Sequence, residues 1–307
     1  MPVDPQMKLW IEEDASYVRG QTLEEQRERS RTRRVIRVED QNVPVLGGEG
    51  IWARAYTPPI PPDSRFRPLP VLVYFHGGGW VTGDRDAYDF RCRIMAEWCK
   101  CLVVSIDYRC APEYKFPTAV NDSYEALRWV ASAAVKTEPG VDVDLSRIGV
   151  AGESSGANLA AAVSLLARDQ GPRLIYQQLI CPVLDETLST RSMERNALGP
   201  GLTKERMIEY WDQYVPNKED RRNPLASPLW AQDLKGLPPA LVMTARYDPL
   251  LDEGRQYANR LEESGVEVDY KECDGLVHGF FDAVGSVDSA RSAFIESLDS
   301  IKRRMRP

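Results

Sequence analysis

The sequence predicts an α/β protein built on one mostly parallel sheet with helices on both faces. Three observations predict it. Short, continuous apolar runs recur along the chain without strong alternation, as strands buried on both faces require. Stretches of helical period lie between them, which is the order of a parallel sheet with crossover helices. A chain of 307 residues can also bury roughly 75% of the surface its unfolded form exposes, so it needs no disulfide staples.

Taken in order, residues 1 to about 34 read as helical, with sparse apolar points at Leu9, Ile11 and Val18. The segment TLEEQRERSRTRR follows a candidate N-cap at Thr22. Its Arg27, Arg29, Arg31, Arg33 and Arg34 interleave with Glu24, Glu25 and Glu28, the pattern of a solvated helix face. VIRVEDQNVPV and GIWARAYTP then alternate apolar and polar residues around Gly47-Gly48, which predicts a hairpin. PPIPPDSRFRPLP reads as a surface connection. The strand runs follow: VLVYF (71–75), LVVSI (102–106), RIGVA (147–151), YQQLIC (176–181), ALVMTA (240–245) and VEVDYK (266–271). Helices are expected at about 86–98, 117–134, 155–168, 250–264 and 286–304. With the hairpin, the sheet has eight strands.

One interval breaks the rhythm. A long stretch separates the strand ending at Cys181 from that starting at Ala240, and it contains the helical segment KERMIEYWDQYV. A structureless loop of that length is unusual, so an inserted lid is expected. The expected division is 1–45 for N-terminal helices contributing to a cap, 46–184 and 236–307 for the two parts of the core, and 185–235 for the cap insertion. Such a cap would cover the C-terminal edge of the sheet, where ligands of open α/β sheets bind.

Composition narrows the function. Thirty-nine Lys and Arg against 46 Asp and Glu give a net charge of -7, which offers no electrostatic reason to seek nucleic acid or an anionic membrane. No apolar stretch approaches the ~18 residues needed to span a bilayer, and the N-terminus lacks the pattern of a signal peptide. The six cysteines lack CxxC pairing and read as reduced, mostly buried thiols of a cytoplasmic protein. Only His76 and His278 carry imidazole, which excludes a multi-histidine metal site. No metal or organic cofactor is expected.

Three features converge on one chemistry. Gly152-Glu153-Ser154-Ser155-Gly156 fits G-x-S-x-G, between the strand RIGVA and the helix former ANLAAAVSLLAR. That strand–turn–helix context is the setting of a nucleophile elbow, with small residues demanded by the tight turn. The serine stands at a helix N-terminus, where the dipole favours developing negative charge. His76-Gly77-Gly78-Gly79-Trp80 follows VLVYF directly. Three successive glycines cost conformational entropy, and they suit a place where backbone N–H groups approach a ligand. A phosphate loop is excluded because neither G-K-[ST] nor GxGxxG is present. The third feature is His278, just past the last strand. His76 adjoins the glycine loop, so His278 is by elimination the base for Ser154. Its orienting carboxylate is read as Asp248, in Tyr247-Asp248-Pro249-Leu250 after ALVMTA, with Asp252 as the alternate. Asp274 and Asp282 lie too near His278 in sequence to supply the usual separate loop.

The order Ser154, Asp248, His278 is that of α/β-hydrolases, and here a resemblance is plain. HGGGW, DYRCAPEYKFPTAVND (107–122), GESSGAN, DPLLDEG (248–254) and HGF (278–280) occur in the order found in the hormone-sensitive-lipase-like esterases, the HGGG/GDSAG branch of that fold. The resemblance covers nearly the whole chain. It implies a cap from the N-terminal helices and residues 185–235, and an oxyanion hole from the backbone N–H groups of Gly78, Gly79 and Ser155. Two departures from the family matter: Glu153 and Ser155 stand where Asp and Ala are usual, and both are expected to alter local hydrogen bonding. Cys110 replaces the commoner Leu. His76, Asp107, Arg109 and Glu113 are read as structural.

The resemblance implies a serine carboxylesterase that hydrolyses small esters of short-to-medium acyl chains. An arylformamidase is the nearest alternative, since the triad does not separate esters from amides. A non-catalytic small-molecule receptor on the same fold is the more distant one, disfavoured by the intact His278. Trp80, Trp211, Tyr214, Phe280 and Phe281 are candidate pocket aromatics, each weighed against ordinary packing. VEVDYK as an edge strand makes a homodimer reasonable.

Overall fold

The computed structural model describes residues 2–17, 37–60 and 68–306. An eight-stranded sheet forms its centre, in the order β1-β2-β4-β3-β5-β6-β7-β8. The strands are β1 (Arg37–Val43), β2 (Ile51–Thr57), β3 (Leu69–Phe75), β4 (Leu102–Asp107), β5 (Val143–Glu153), β6 (Tyr176–Ile180), β7 (Ala240–Tyr247) and β8 (Val268–Val277). Pairing is antiparallel between β1 and β2 and between β2 and β4, and parallel elsewhere, so β2 alone runs against the others. β1 pairs along the residues Arg37–Val43, so the sheet begins before the division expected at residue 45.

The helices are α1 (Pro5–Tyr17), α2 (Asp89–Cys99), α3 (Thr118–Ala131), α4 (Ser155–Gln170), α5 (Arg191–Arg195), α6 (Lys204–Tyr214), α7 (Leu251–Glu263) and α8 (Asp288–Arg304). The sheet separates two cores. Val71, Val73 and Phe75 of β3 join α3, α4 and α7 on one face. Leu72 and Tyr74 join α2 and α8 on the other. Every residue of β3 is buried, which is why VLVYF reads as an unbroken apolar run rather than an alternating one. α2 carries the chain from β3 outward to β4, and α3 brings it back to β5 on the other side of β3. The strand order therefore reverses between β3 and β5, which opens a crevice at their C-terminal ends. The glycine loop leaves β3 there, and Ser154 leaves β5.

β8 differs from expectation. It extends to Val277 and pairs with Tyr247 of β7 past an irregularity after Ala245. Period alone ended the strand at the polar DYK segment, whereas ladder pairing carries it to the histidine. As a result Asp248 and His278 leave neighbouring strands side by side.

Between β6 and β7 lie α5, α6 and two 3-10 turns, Lys218–Arg222 and Pro228–Trp230. The Thr203 hydroxyl accepts from the Arg206 N–H and caps α6. Met207, Trp211 and Tyr214, spaced four and three residues apart, form its buried face. At the N-terminus, Met7 is fully buried, Asp4 N donates to Gly275 O, and Ser289 Oγ donates to Asp4. α1 is thereby tied to the end of β8 and the start of α8. The arginine-rich segment expected to be helical lies outside the described residues.

Candidate active site

The turn after β5 holds its serine in an unfavourable backbone conformation. Ser154 has φ 56° and ψ -121°, a conformation that costs an L-residue about 1–3 kcal/mol. The turn is also too tight for side chains. A Cβ on Gly152 would lie 2.2 Å from Gly156 O, and one on Gly156 would lie 2.1 Å from Phe75 O and 2.4 Å from His76 O. Glycine at both positions lets the turn close against the start of the glycine loop. Ser154 N donates to Ile180 O at 2.8 Å, and Ser154 O accepts from Ala157 N and Asn158 N.

The three predicted side chains converge. Ser154 Oγ lies 3.1 Å from His278 Nε2, and His278 Nδ1 lies 2.7 Å from Asp248 Oδ2. Asp248 is fully buried, and its other oxygen accepts from Leu250 N at 2.9 Å. That pair of bonds fixes the carboxylate, which fixes the imidazole, with Nε2 aimed at the serine. The alternate acid is elsewhere: Asp252 accepts from Ser192 N at 2.7 Å and so anchors α5.

The glycine loop packs against the same turn. A Cβ on Gly77 would sit 3.5 Å from Ser154 Cβ. Gly78 has φ +117°, and a Cβ there would meet Thr82 O at 2.0 Å. The Gly78 carbonyl accepts from Val81 N and Thr82 N, which curls the loop. Gly79 has φ +63°, and a Cβ there would strike the Tyr210 ring at 2.4 Å. Tyr210 of α6 therefore lies directly on the loop.

His76 is buried and unconnected to the triad. Its Nδ1 lies 2.8 Å from Gly77 O, and its ring stacks on Tyr108 at 4.2 Å. Burial lowers its pKa below the usual imidazole value. Arg109 forms an ion pair with the buried Asp122 and donates to Leu46 O and Gly47 O, while Asp107 pairs with Arg85. Glu113 is exposed. Ser155 is fully buried. Cys110 is half-buried, and all six cysteines are unpaired.

The candidate pocket aromatics belong to the packing. Trp80, Trp211, Tyr214 and Phe280 are fully buried and Phe281 is nearly so. Trp80 stacks on Tyr214 at 4.3 Å, and Phe280 meets Phe281 edge-on.

Three contributors were not found from sequence. Tyr210 gave no motif signal. Asn196 donates to the main-chain oxygens of Arg246 and Asp248, which ties the segment between β6 and β7 to the loop that carries Asp248. Glu253 is buried and accepts from Leu184 N and Asp185 N; burial pushes its carboxyl well above the usual range. The DPLLDEG block contains Glu253, but its partners are distant in sequence. Cys181, Asp248 and His278 place donor atoms within 4.8 Å of one another. Burial, with Asp248 alongside, raises the Cys181 thiol well above its usual range, and the other two donors already bond each other. The cluster is therefore the Asp248–His278 pair with a buried thiol beside it.

Comparison with known proteins agrees with this geometry. Residues 72–282 match the family described as the α/β hydrolase fold. Carboxylesterase NlhH of Mycobacterium tuberculosis is 38% identical over 274 residues, 88% of this chain and 83% of that protein. An arylesterase of Saccharolobus solfataricus is 42% identical over 226 residues, 73% of this chain and 72% of that protein. The esterase of Pyrobaculum calidifontis superposes with a TM-score of 0.87 at 39% identity, covering 98% of this chain and 99% of that one. With its sheet, its Ser–His–Asp geometry and these likenesses together, the chain belongs to the α/β-hydrolase family and, within it, to the carboxylic ester hydrolases.

Proposed function

We propose that Ser154 is the nucleophile, His278 its general base, Asp248 the orienting acid, and the N–H groups of Gly78, Gly79 and Ser155 the oxyanion donors. The observation that carries the reading is the unbroken chain from Asp248 Oδ2 through His278 to Ser154 Oγ, with spacings of 2.7 and 3.1 Å. In the acylation step the serine oxygen attacks the ester carbonyl while its proton passes to His278. The oxyanion takes hydrogen bonds from the three backbone donors, each worth about 2.7–4 kcal/mol of barrier. His278 then protonates the leaving alcohol, and water repeats the sequence on the acyl-enzyme.

Short-to-medium acyl chains are the proposed substrates. The cap supports this: Tyr210 closes on the glycine loop, and α6 has a narrow buried face rather than a broad apolar surface for a lipid interface. No helix among the described residues is long and apolar enough to cross a membrane. We assign residues 185–235 and the N-terminal helices to the cap. Six unpaired cysteines support a reducing, cytoplasmic setting. A homodimer through β8 is proposed because β8 ends the sheet.

The test is an initial-rate panel of p-nitrophenyl esters from acetyl to palmitoyl plus an aryl formamide, wild type beside Ser154→Ala. A maximum at short or medium chains that vanishes in Ser154→Ala is expected. A maximum at palmitoyl overturns the chain-length reading, a dominant formamide rate overturns ester preference, and surviving turnover in the variant overturns the nucleophile.

A further inference from the structure

The residue before the nucleophile has a partner that neither the triad nor the oxyanion hole uses. Glu153 ends β5, and its carboxylate is nearly fully buried, with 6% of its side chain exposed. Leaving such a charge unpaired costs several kcal/mol. Its partner is Arg91 of α2: Nη1 donates to Glu153 Oε2. Arg91 is itself 10% exposed and lies over the Tyr88 ring at 4.9 Å and the Phe281 ring at 5.7 Å. Packing therefore holds the guanidinium in place, so it acts as a fixed strut.

The other arm of that guanidinium leads to the histidine. Arg91 Nη2 donates to Asp282 Oδ1 at 2.6 Å. Asp282 lies in the 3-10 turn Phe280–Ala283 that follows His278 and Gly279. Gly279 has φ +75°, and Asp282 N donates back to its carbonyl at 2.9 Å. The turn after His278 is closed by the Asp282 N–H and tied to α2 by the Asp282 carboxylate. One planar cation with two forked donors joins both acids, a task a lysine's single ammonium performs poorly.

We propose that Glu153, Arg91 and Asp282 form a bridge that holds the nucleophile turn and the histidine loop at a fixed separation, and that all three are positioning residues for proton transfer between Ser154 and His278. Asp248 orients the imidazole ring, whereas the bridge sets where its backbone stands relative to the serine. Glu153 supplies the reach from β5 to α2. The inference rests on the assignment of Ser154 and His278 made above.

A phosphonate probe tests both layers separately. With a p-nitrophenyl alkylphosphonate, a Ser154 Oγ–P bond forms, the bond from phosphorus to nitrophenolate breaks, and the serine proton passes to His278. The rate follows nitrophenolate release, and mass spectrometry locates the label. Displacing a reacting group by about 1 Å costs up to ~100-fold, so Asp282→Asn and Glu153→Gln are each expected to slow labelling about 10-fold or more. On p-nitrophenyl butyrate the loss should appear in kcat with KM unchanged. Asp282→Glu, which keeps the charge, should recover most of the rate. The double variant Glu153→Gln/Asp282→Asn should be no slower than the slower single variant, since both break one bridge. Asp282 is 64% exposed at its side chain, so Asp282→Asn carries the test even if Glu153→Gln does not fold. Labelling of Asp282→Asn at the wild-type rate, or single losses that multiply in the double variant, overturns the bridge alone. A label on any residue other than Ser154 overturns the nucleophile assignment instead.

Discussion

Replacing Ser154 by alanine and by glycine separates what the residue does from what its backbone costs. Both substitutions remove the hydroxyl and its 3.1 Å contact with His278, so both should abolish ester turnover. They differ only in conformational freedom. At φ 56° and ψ -121° alanine retains the strain of about 1–3 kcal/mol, which glycine escapes. Against this, glycine gains about 0.4–1 kcal/mol of entropy in the unfolded chain. With strain near the middle of its range, Ser154→Gly should be about 1 kcal/mol more stable than Ser154→Ala. The assay is urea denaturation of the two inactive variants side by side, read as a shift in midpoint at constant slope. If the glycine variant is the less stable one, the turn is not strained, and the claim that the fold holds the nucleophile in an unfavourable conformation fails.

Other expectations follow from the same geometry. Gly79→Ala drives a methyl into the Tyr210 ring and should lower kcat/KM by ~10²-fold or more through a displaced oxyanion donor; adding Tyr210→Ala should restore part of it, and no recovery would show that the ring is not what forbids a side chain there. Asp248→Asn should reduce kcat by about 10⁴-fold. Asp252→Asn, which loosens the Ser192 N–H contact and the ion pair with Arg255, should leave kcat nearly intact and cost about 1 kcal/mol of stability; the reverse ranking would exchange their roles. Glu253 binds its proton more tightly when folded than unfolded, so the native state holds the extra proton above the unfolded carboxylate range and stability falls as pH rises through that window. Glu253→Gln lacks this titration. Wild type should therefore lose stability relative to the variant as pH rises above the unfolded carboxylate range in urea melts, and parallel pH profiles would refute a raised carboxyl.

Much of this site was legible in the chain because its signals are local. Gly152 is dictated by contact within its own turn and Gly156 by the end of β3 beside it, and apolar runs such as that of β3 reflect burial on both faces. The pairing of Ser154 with His278 followed from chemical need, given only two imidazoles. What stayed hidden depends on contacts that no period encodes. Tyr210 meets Gly79, and Arg91 meets both Glu153 and Asp282, across separations that only the crossovers bring together. The extension of β8 was missed because its polar residues obey the ladder with β7 rather than an apolar pattern. The aromatic candidates were ambiguous for the opposite reason: Trp80 and Tyr214 look alike in sequence whether they line a pocket or fill a core.

Asn158 has a consequence for how the cap can change. This residue of α4 is fully buried, and its amide nitrogen donates to Val183 O at 2.9 Å and to Ala226 O at 2.7 Å. One core side chain thus grips both stems of the insertion just beyond the nucleophile. Closing a loop whose ends are already held costs little more as it lengthens, since the entropy grows only with the logarithm of its length. The segment between Val183 and Ala226 can accordingly vary in length where it leaves the core untouched, whereas Ser192, Asn196 and Tyr210, which meet the residues beneath, are fixed points within it.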